Sequence, residues 1–159
     1  MKNFALQKEA ERIKSLIKKF EIFTEKGDFE GQSDWAKYIC VIVAGYMELV
    51  IKELYSDYSK SQVSAPVARF ISATLQKVQN PRSDKFIEFA GRFSADWGTE
   101  LETYLNDNGR KEAIESIMTN RHNIAHGKSR STNITAGAVS AYFEKCLEVA
   151  NFIEQQCKK

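Results

Sequence analysis

The fold is decided by one long apolar stretch, residues 35–54, which reads WAKYICVIVAGYMELVIKEL. Its apolar residues recur at steps of three and four, which is the period of a helix. Further apolar residues fall between these positions: Val41, Ala44 and Ile51. A helix that is apolar nearly all round needs neighbours on several sides, so we expect it at the centre of the domain. Ser33 or Asp34 is suited to cap its N-terminus, and the pattern predicts an end near Tyr58.

Amphipathic patterns on both sides of this stretch predict further helices. Before it, apolar residues at helical spacing predict a helix from Phe4 to near Gly27. After it, helices are predicted over about 64–80, 83–93, 97–105 and 110–127, with a last one after the polar loop 127–135. No segment shows a convincing strand pattern. The sequence therefore predicts an all-α fold, an up-and-down helical bundle with additional short helices, forming a single domain over residues 1–159.

Composition limits the class of protein. The chain has 159 residues, of which 43% are hydrophobic and 28% charged, with 2 Pro, as expected for a helix-rich globular domain. No apolar run reaches the ~20 residues of a spanning helix, and charges interrupt the first twenty residues, so neither a membrane nor a secretory signal is expected. The 3 cysteines form no CxxC pair, which favours a reducing, cytoplasmic setting.

Both histidines of the chain lie in one segment, Arg121-His122-Asn123-Ile124-Ala125-His126-Gly127. The segment falls at the end of a predicted helix, which Gly127 is suited to close with a left-handed C-cap. His122 and His126 are four residues apart, about 40° around the helix axis, so they can face the same way. Arg121 and His126 are about 140° apart by the same geometry.

The charge around this segment has one sign. A formal net charge of +2 is too small to indicate a nucleic-acid partner by itself. However, no Asp or Glu occurs from Ser116 to Phe143, whereas Arg121, Lys128 and Arg130 fall within that interval. The local positive field is suited to phosphate groups.

These residue types suit RNA cleavage. A histidine can take the proton of a ribose 2′-hydroxyl or give one to a leaving 5′-oxygen, and an arginine can hold the phosphate with two hydrogen bonds. Such cleavage needs neither a metal nor a cofactor, and we expect none. A zinc site is disfavoured because the histidines lack the HExxH glutamate and a third ligand. The plain alternative is a pair of surface histidines without chemistry.

The segment Arg121 to Gly127 resembles the signature of the HEPN superfamily (higher eukaryotes and prokaryotes nucleotide-binding), in which an Arg and a polar residue are followed by three residues and a His. The segment Tyr46 to Leu54 is similar to the second-helix segment of the same group, particularly of relatives linked to RiboL-PSP and MAE-type HEPN domains. With the helix order, the resemblance covers most of the chain.

The resemblance implies a homodimeric, HEPN-like helical bundle that acts as a metal-independent endoribonuclease. It implies RNA as the partner, with a toxin–antitoxin, abortive-infection or other antiphage system as the setting and an antitoxin or defence protein as a further partner. Arg121 matches the catalytic Arg and His126 the catalytic His, while His122 takes the polar position that orients the site. The alternative is a non-catalytic HEPN-like module that binds RNA or assembles proteins in a defence complex.

Other residues are expected to support the site. His122, Asn123 and Glu48 are the supporting candidates, and Lys128 and Arg130 the candidates for RNA binding. For Glu48 two interpretations stay open: an ion pair with Arg121, or a charge at the rim of the central helix.

Overall fold

A computed structural model describes residues 3–23, 27–128, 130 and 132–159. Seven helices make up the described part of the chain. They are α1 (Phe4–Phe23), α2 (Phe29–Gln62), α3 (Ala65–Leu75), α4 (Ser83–Phe93), α5 (Ala95–Leu105), α6 (Arg110–Ala125) and α7 (Ala136–Gln156). No strand occurs among the described residues, and the predicted all-α fold is confirmed. None of these helices is both long and apolar enough to cross a membrane.

The longest helix, α2, lies at the centre of the bundle. It packs against α1, α3, α6 and α7. Its apolar side chains Val43, Met47, Val50 and Ile51 have no exposed surface. The central position expected from its nearly continuous apolar surface is therefore confirmed, because four neighbours are needed to cover it.

The start of α2 was predicted too late. The helix begins at Phe29 rather than after Ser33 or Asp34, because the carboxylate of Asp28 caps it by accepting a hydrogen bond from the Gly31 N–H at 2.9 Å. Ser33 and Asp34 then lie inside the helix. An Asp before an apolar residue is as good an N-cap signal as Ser33 or Asp34, so spacing alone could not choose among the three.

Helix α6, which carries the motif, is fixed at its beginning by Arg110. The Arg110 guanidinium donates to Glu148 of α7 at 2.7 Å and lies 3.8 Å from the centre of the Tyr104 ring of α5. The Arg110 side chain is 10% exposed and that of Glu148 34%, so the ion pair lies at the edge of the bundle. The first turn of α6 is thus tied to two other helices.

The middle of α6 is tied to the start of α4 through Glu115. Its carboxylate accepts hydrogen bonds from the Ser83 N–H at 2.9 Å, the Ser83 hydroxyl at 2.6 Å and Arg82 at 2.6 Å. Burial favours the protonated form, but the hydrogen bonds from Ser83 and Arg82 outweigh it, so the pKa of Glu115 lies below its ordinary value. Ser83 is the first residue of α4, and its N–H and hydroxyl bind α6.

The contact between α4 and α5 depends on two glycines. A Cβ added at Gly98 would lie 3.1 Å from the Gly91 Cα and 3.4 Å from the Gly91 N, whereas a Cβ at Gly91 would meet only the Gly98 Cα, at 3.9 Å. Gly98 is buried, and Gly91 is exposed. The two backbones can therefore approach this closely only if residue 98 is glycine, whereas residue 91 has room for a Cβ.

We expect Gly98→Ala to lower the free energy of unfolding by about 1–3 kcal/mol, since its Cβ would force α4 and α5 apart. The matched control is Gly91→Ala, which keeps an ordinary contact and should be neutral or stabilise by up to ~1 kcal/mol through helix propensity. Urea denaturation followed by circular dichroism measures both. Equal unfolding free energies for the two variants would contradict the close approach of α4 and α5 at Gly98.

Candidate functional site

The motif occupies the last turns of α6, which end in a Schellman motif. The Gly127 N–H donates to the Ile124 carbonyl at 3.4 Å, and the Lys128 N–H donates to the Asn123 carbonyl at 2.9 Å. Gly127 has φ +74°, the left-handed conformation that this ending requires. The predicted C-cap is confirmed, and the backbone from Asn123 to Lys128 is fixed by hydrogen bonds.

The two histidines form a pair at this helix end. The ring centres of His122 and His126 are 4.3 Å apart, with an angle of 47° between the ring planes. Both side chains are exposed. The prediction that they face the same way is confirmed, and both imidazoles are open to a ligand from solvent.

Arg121 lies on a different side of α6 from the two histidines. It follows Ile117 on the face that packs toward α2, and its side chain is half-buried. The thiol of Cys40 on α2 donates to the Ile117 carbonyl at 3.6 Å and also contacts the backbone of Arg121. This contact holds the last turns of α6 against α2.

Cys40 has a packing role in this contact. Burial raises the pKa of its thiol to about 12, so the group remains a neutral thiol at physiological pH. Cys40, Cys146 and Cys157 are all free cysteines. Cys40 and Cys146 are buried, as expected for small core residues.

The Arg121 side chain has no salt bridge to any residue in the ranges described above. The acid-free interval from Ser116 to Phe143 explains why, since neither α6 beyond Glu115 nor the following loop can supply a carboxylate. A half-buried guanidinium without an acidic partner is suited to bind an anion.

The loop after the motif folds back onto the core. The Thr132 hydroxyl donates to the Lys128 carbonyl at 3.0 Å, and Thr132 and Ile134 are 4% and 5% exposed. Lys128 and Arg130 have exposed side chains. The two predicted phosphate ligands thus lie within four residues of His126, on a loop that Thr132 and Ile134 anchor. Neither anchor was identified from the sequence, because a Thr and an Ile in a polar loop carry no distinguishing pattern.

Glu48 lies away from the motif. Its carboxylate accepts the Asn80 N–H at 2.7 Å and pairs with Lys52 at 3.6 Å. The ion pair with Arg121 is not formed, because Glu48 is two turns, about 12 Å, beyond Cys40, where the end of α6 packs on α2. The rim interpretation describes Glu48, and its carboxylate joins α2 to the loop before α4.

The donor groups of the site do not assemble into a metal centre. Over the described ranges, no three His, Cys, Asp or Glu side chains lie close enough together to hold a metal ion. Asn123 is half-buried, and its carbonyl serves the helix cap. The groups that this helix end presents to a ligand are therefore imidazole, guanidinium and ammonium.

An all-α bundle whose sixth helix ends in Arg, a polar residue, three residues and His has the defining features of a HEPN protein. The model of the family described as RiboL-PSP-HEPN matches residues 5–159, and the chain belongs to this family. Comparisons with curated proteins and with solved structures give no significant match. Membership in this family points to an RNA-related function.

We expect Gly127→Ala to lower the free energy of unfolding by about 1 kcal/mol, because φ +74° is unfavourable for a residue with a Cβ. A Cβ would meet no atom within 4 Å at either Gly127 or Gly137, so Gly137→Ala is a control that differs only in backbone conformation. Urea denaturation compares the two. Equal stability would contradict the left-handed cap at the motif.

Proposed function

We propose that the protein is a metal-independent endoribonuclease that cleaves RNA by attack of the 2′-hydroxyl on the adjacent phosphate. The observation that carries the proposal is that one helix end holds the half-buried Arg121 together with the exposed His122 and His126, in a stretch of chain without acidic residues. Imidazole and guanidinium are the groups that such a reaction requires. Family membership supports an RNA substrate.

In the proposed reaction, the 2′-oxygen forms a bond to phosphorus and the bond from phosphorus to the 5′-oxygen breaks. One imidazole takes the proton of the 2′-hydroxyl, and an imidazolium gives a proton to the departing 5′-oxygen. The products are a 2′,3′-cyclic phosphate and a 5′-hydroxyl. Arg121 stabilises the negative charge that accumulates on the non-bridging oxygens, where two parallel hydrogen bonds bind best.

The two proton-transfer groups cannot both come from His122 and His126 of one chain. The attacking and leaving oxygens lie in line on opposite sides of the phosphorus. Two rings with centres 4.3 Å apart are neighbours on one side of a helix end, so they approach a phosphate from the same side. We therefore propose that His126 of a second copy supplies the opposite group, in a two-fold homodimer with a composite cleft.

An apolar stripe on α2 supports this dimer. Tyr38 and Val41 are 49% and 39% exposed, and Gly45 continues the same face of the helix. Ile42 is half-buried beside them. Tyr38 and Val41 flank Cys40, whose thiol contacts the backbone of Ile117 and Arg121, so a copy bound on the stripe would lie near the helix that carries the motif. Burying large apolar side chains also favours association.

The cellular setting that we propose is a toxin–antitoxin or other defence system in the cytoplasm, as the family resemblance implies. In such a system a second protein holds the ribonuclease inactive until it is needed. Lys128 and Arg130 would bind the phosphates that flank the cleaved bond, since both are exposed cations near His126.

Purified wild-type protein should cleave transfer RNA or messenger RNA in the presence of EDTA and leave 2′,3′-cyclic phosphate and 5′-hydroxyl ends. His126→Ala and Arg121→Ala should each reduce the rate by ~10²–10⁴-fold, the usual effect of losing a proton-transfer group or a charge stabiliser. Gel analysis of end-labelled RNA, with enzymatic tests of the new ends, measures the rate and the products.

Arg69→Ala is the matched control, because Arg69 is an exposed arginine on α3, a helix that carries no motif residue. It should retain the wild-type rate. Loss of cleavage on adding EDTA, restored by a divalent metal, would contradict the proposal. RNA binding without cleavage by a folded wild-type dimer would instead support the non-catalytic binding module.

A further inference from the structure

A groove with two contiguous parts runs between α3 and α4, here called the α3–α4 groove. Its apolar part has a volume of about 300 Å³. The apolar lining residues are Phe70, Ile71, Leu75, Phe89 and Phe93. Its basic part, about 360 Å³, is lined by Lys77, Lys85 and Arg92 together with Glu88. Thr74, Phe89 and Arg92 border both parts, so one ligand can occupy the two together.

The apolar part is open to solvent. Phe70 is 74% exposed, and Val67, one turn before it on α3, is 47% exposed. Exposed aromatic residues beside a concave apolar surface are typical of binding sites on soluble proteins. Because α3 packs mainly on α2, its outer side is left uncovered.

The basic part carries an excess of positive charge. Glu88 binds both Lys85 and Arg92, and the hydrogen bond from Lys85 is the main reason that the pKa of Glu88 lies below its ordinary value. Within the described ranges, Lys77 has no ion-pair partner. Three cations and one carboxylate are thus the charged groups that line the basic part. The groove is complementary to a ligand with its own carboxylates.

Two of the three aromatic rings that line the apolar part already have a face occupied. The Arg92 guanidinium already covers a face of the Phe89 ring at 5.1 Å. The Phe93 ring is stacked on Tyr55, with ring centres 4.8 Å apart, and meets the Tyr58 ring edge-on at 5.8 Å. Stacking of bases needs free aromatic faces, and of the three rings that line this part Phe89 and Phe93 each have a face occupied, whereas Phe70 is exposed.

Aliphatic groups complete the floor of the apolar part, since Ile71 and Leu75 line it beside the two covered rings. A leucine, isoleucine or phenylalanine side chain would bury itself there against carbon atoms. The hydrophobic effect would drive this contact, which offers no hydrogen-bond pattern for reading a base.

We propose that the α3–α4 groove binds an acidic amphipathic segment of a partner protein. An apolar side chain of that segment would fill the apolar part, and an Asp or Glu would bind Lys77, Lys85 and Arg92. This is recognition of a helix or short peptide in a groove, where apolar anchors supply affinity and charges set orientation. The groove belongs to helices that carry no motif residue, so the inference goes beyond the proposed ribonuclease activity and does not depend on it.

The test is a selection of random 12-residue peptides displayed on phage against the full-length protein. Enriched peptides should carry one large apolar residue close to Asp or Glu. Phe70→Ser and Lys77→Glu should each weaken their binding about tenfold or more, which corresponds to about 1.4 kcal/mol. Both side chains are exposed, so folding should be retained. Arg69→Glu, on the same helix but outside the groove, is the control and should bind as wild type does.

Three results would overturn the inference. The first is enrichment of peptides without acidic residues, or selected peptides that bind Phe70→Ser and Lys77→Glu as tightly as wild type. The second is displacement of the selected peptides by a single-stranded RNA 12-mer in a manner sensitive to Phe70→Ser, which would assign the groove to nucleic acid. The third is a change of oligomeric state in Phe70→Ser by size-exclusion chromatography, which would assign it to a second copy of the chain.

Discussion

The rest of the structure depends on the burial of α2. This 34-residue helix is apolar on most of its surface, and four other helices cover it. Its most closely packed positions, such as Val43, Met47 and Val50, leave no exposed area, and truncation of any of them to Ala would open a cavity in the core. Since α6 is one of the covering helices, the position of the motif follows from the packing of α2.

Three contacts then fix α6 along its length. Arg110 holds its start to α5 and α7, Glu115 holds its middle to α4, and the Cys40 thiol donates to the Ile117 carbonyl, about two and a half turns before the cap. The Schellman ending at Gly127 fixes the last turn. A helix held at several points can therefore place the exposed imidazoles precisely, which is what a site for proton transfer requires.

The helices, the central place of α2 and the C-cap at Gly127 could be predicted because each depends on local patterns: apolar spacing of 3.6 residues and a glycine after a helix. The alignment of His122 with His126 followed from the same spacing. The N-cap of α2 at Asp28 could not be predicted, since several residues near it are equally suited to cap a helix. The partners of Glu48 could not be predicted either, because the sequence does not show which donors lie near a carboxylate in the folded chain. The α3–α4 groove depends on the packing of two short helices, which no sequence period encodes.

The proposed RNA cleavage depends on Arg121 and His126. The most direct measurement is sequencing of 5′-hydroxyl and cyclic-phosphate RNA ends in cells that express wild type, Arg121→Ala or His126→Ala at equal levels. New paired ends are expected in cells with the wild type alone, together with arrest of growth. If all three proteins are folded and the RNA ends of the cells are the same, the motif does not cut RNA in those cells and the proposed activity is contradicted.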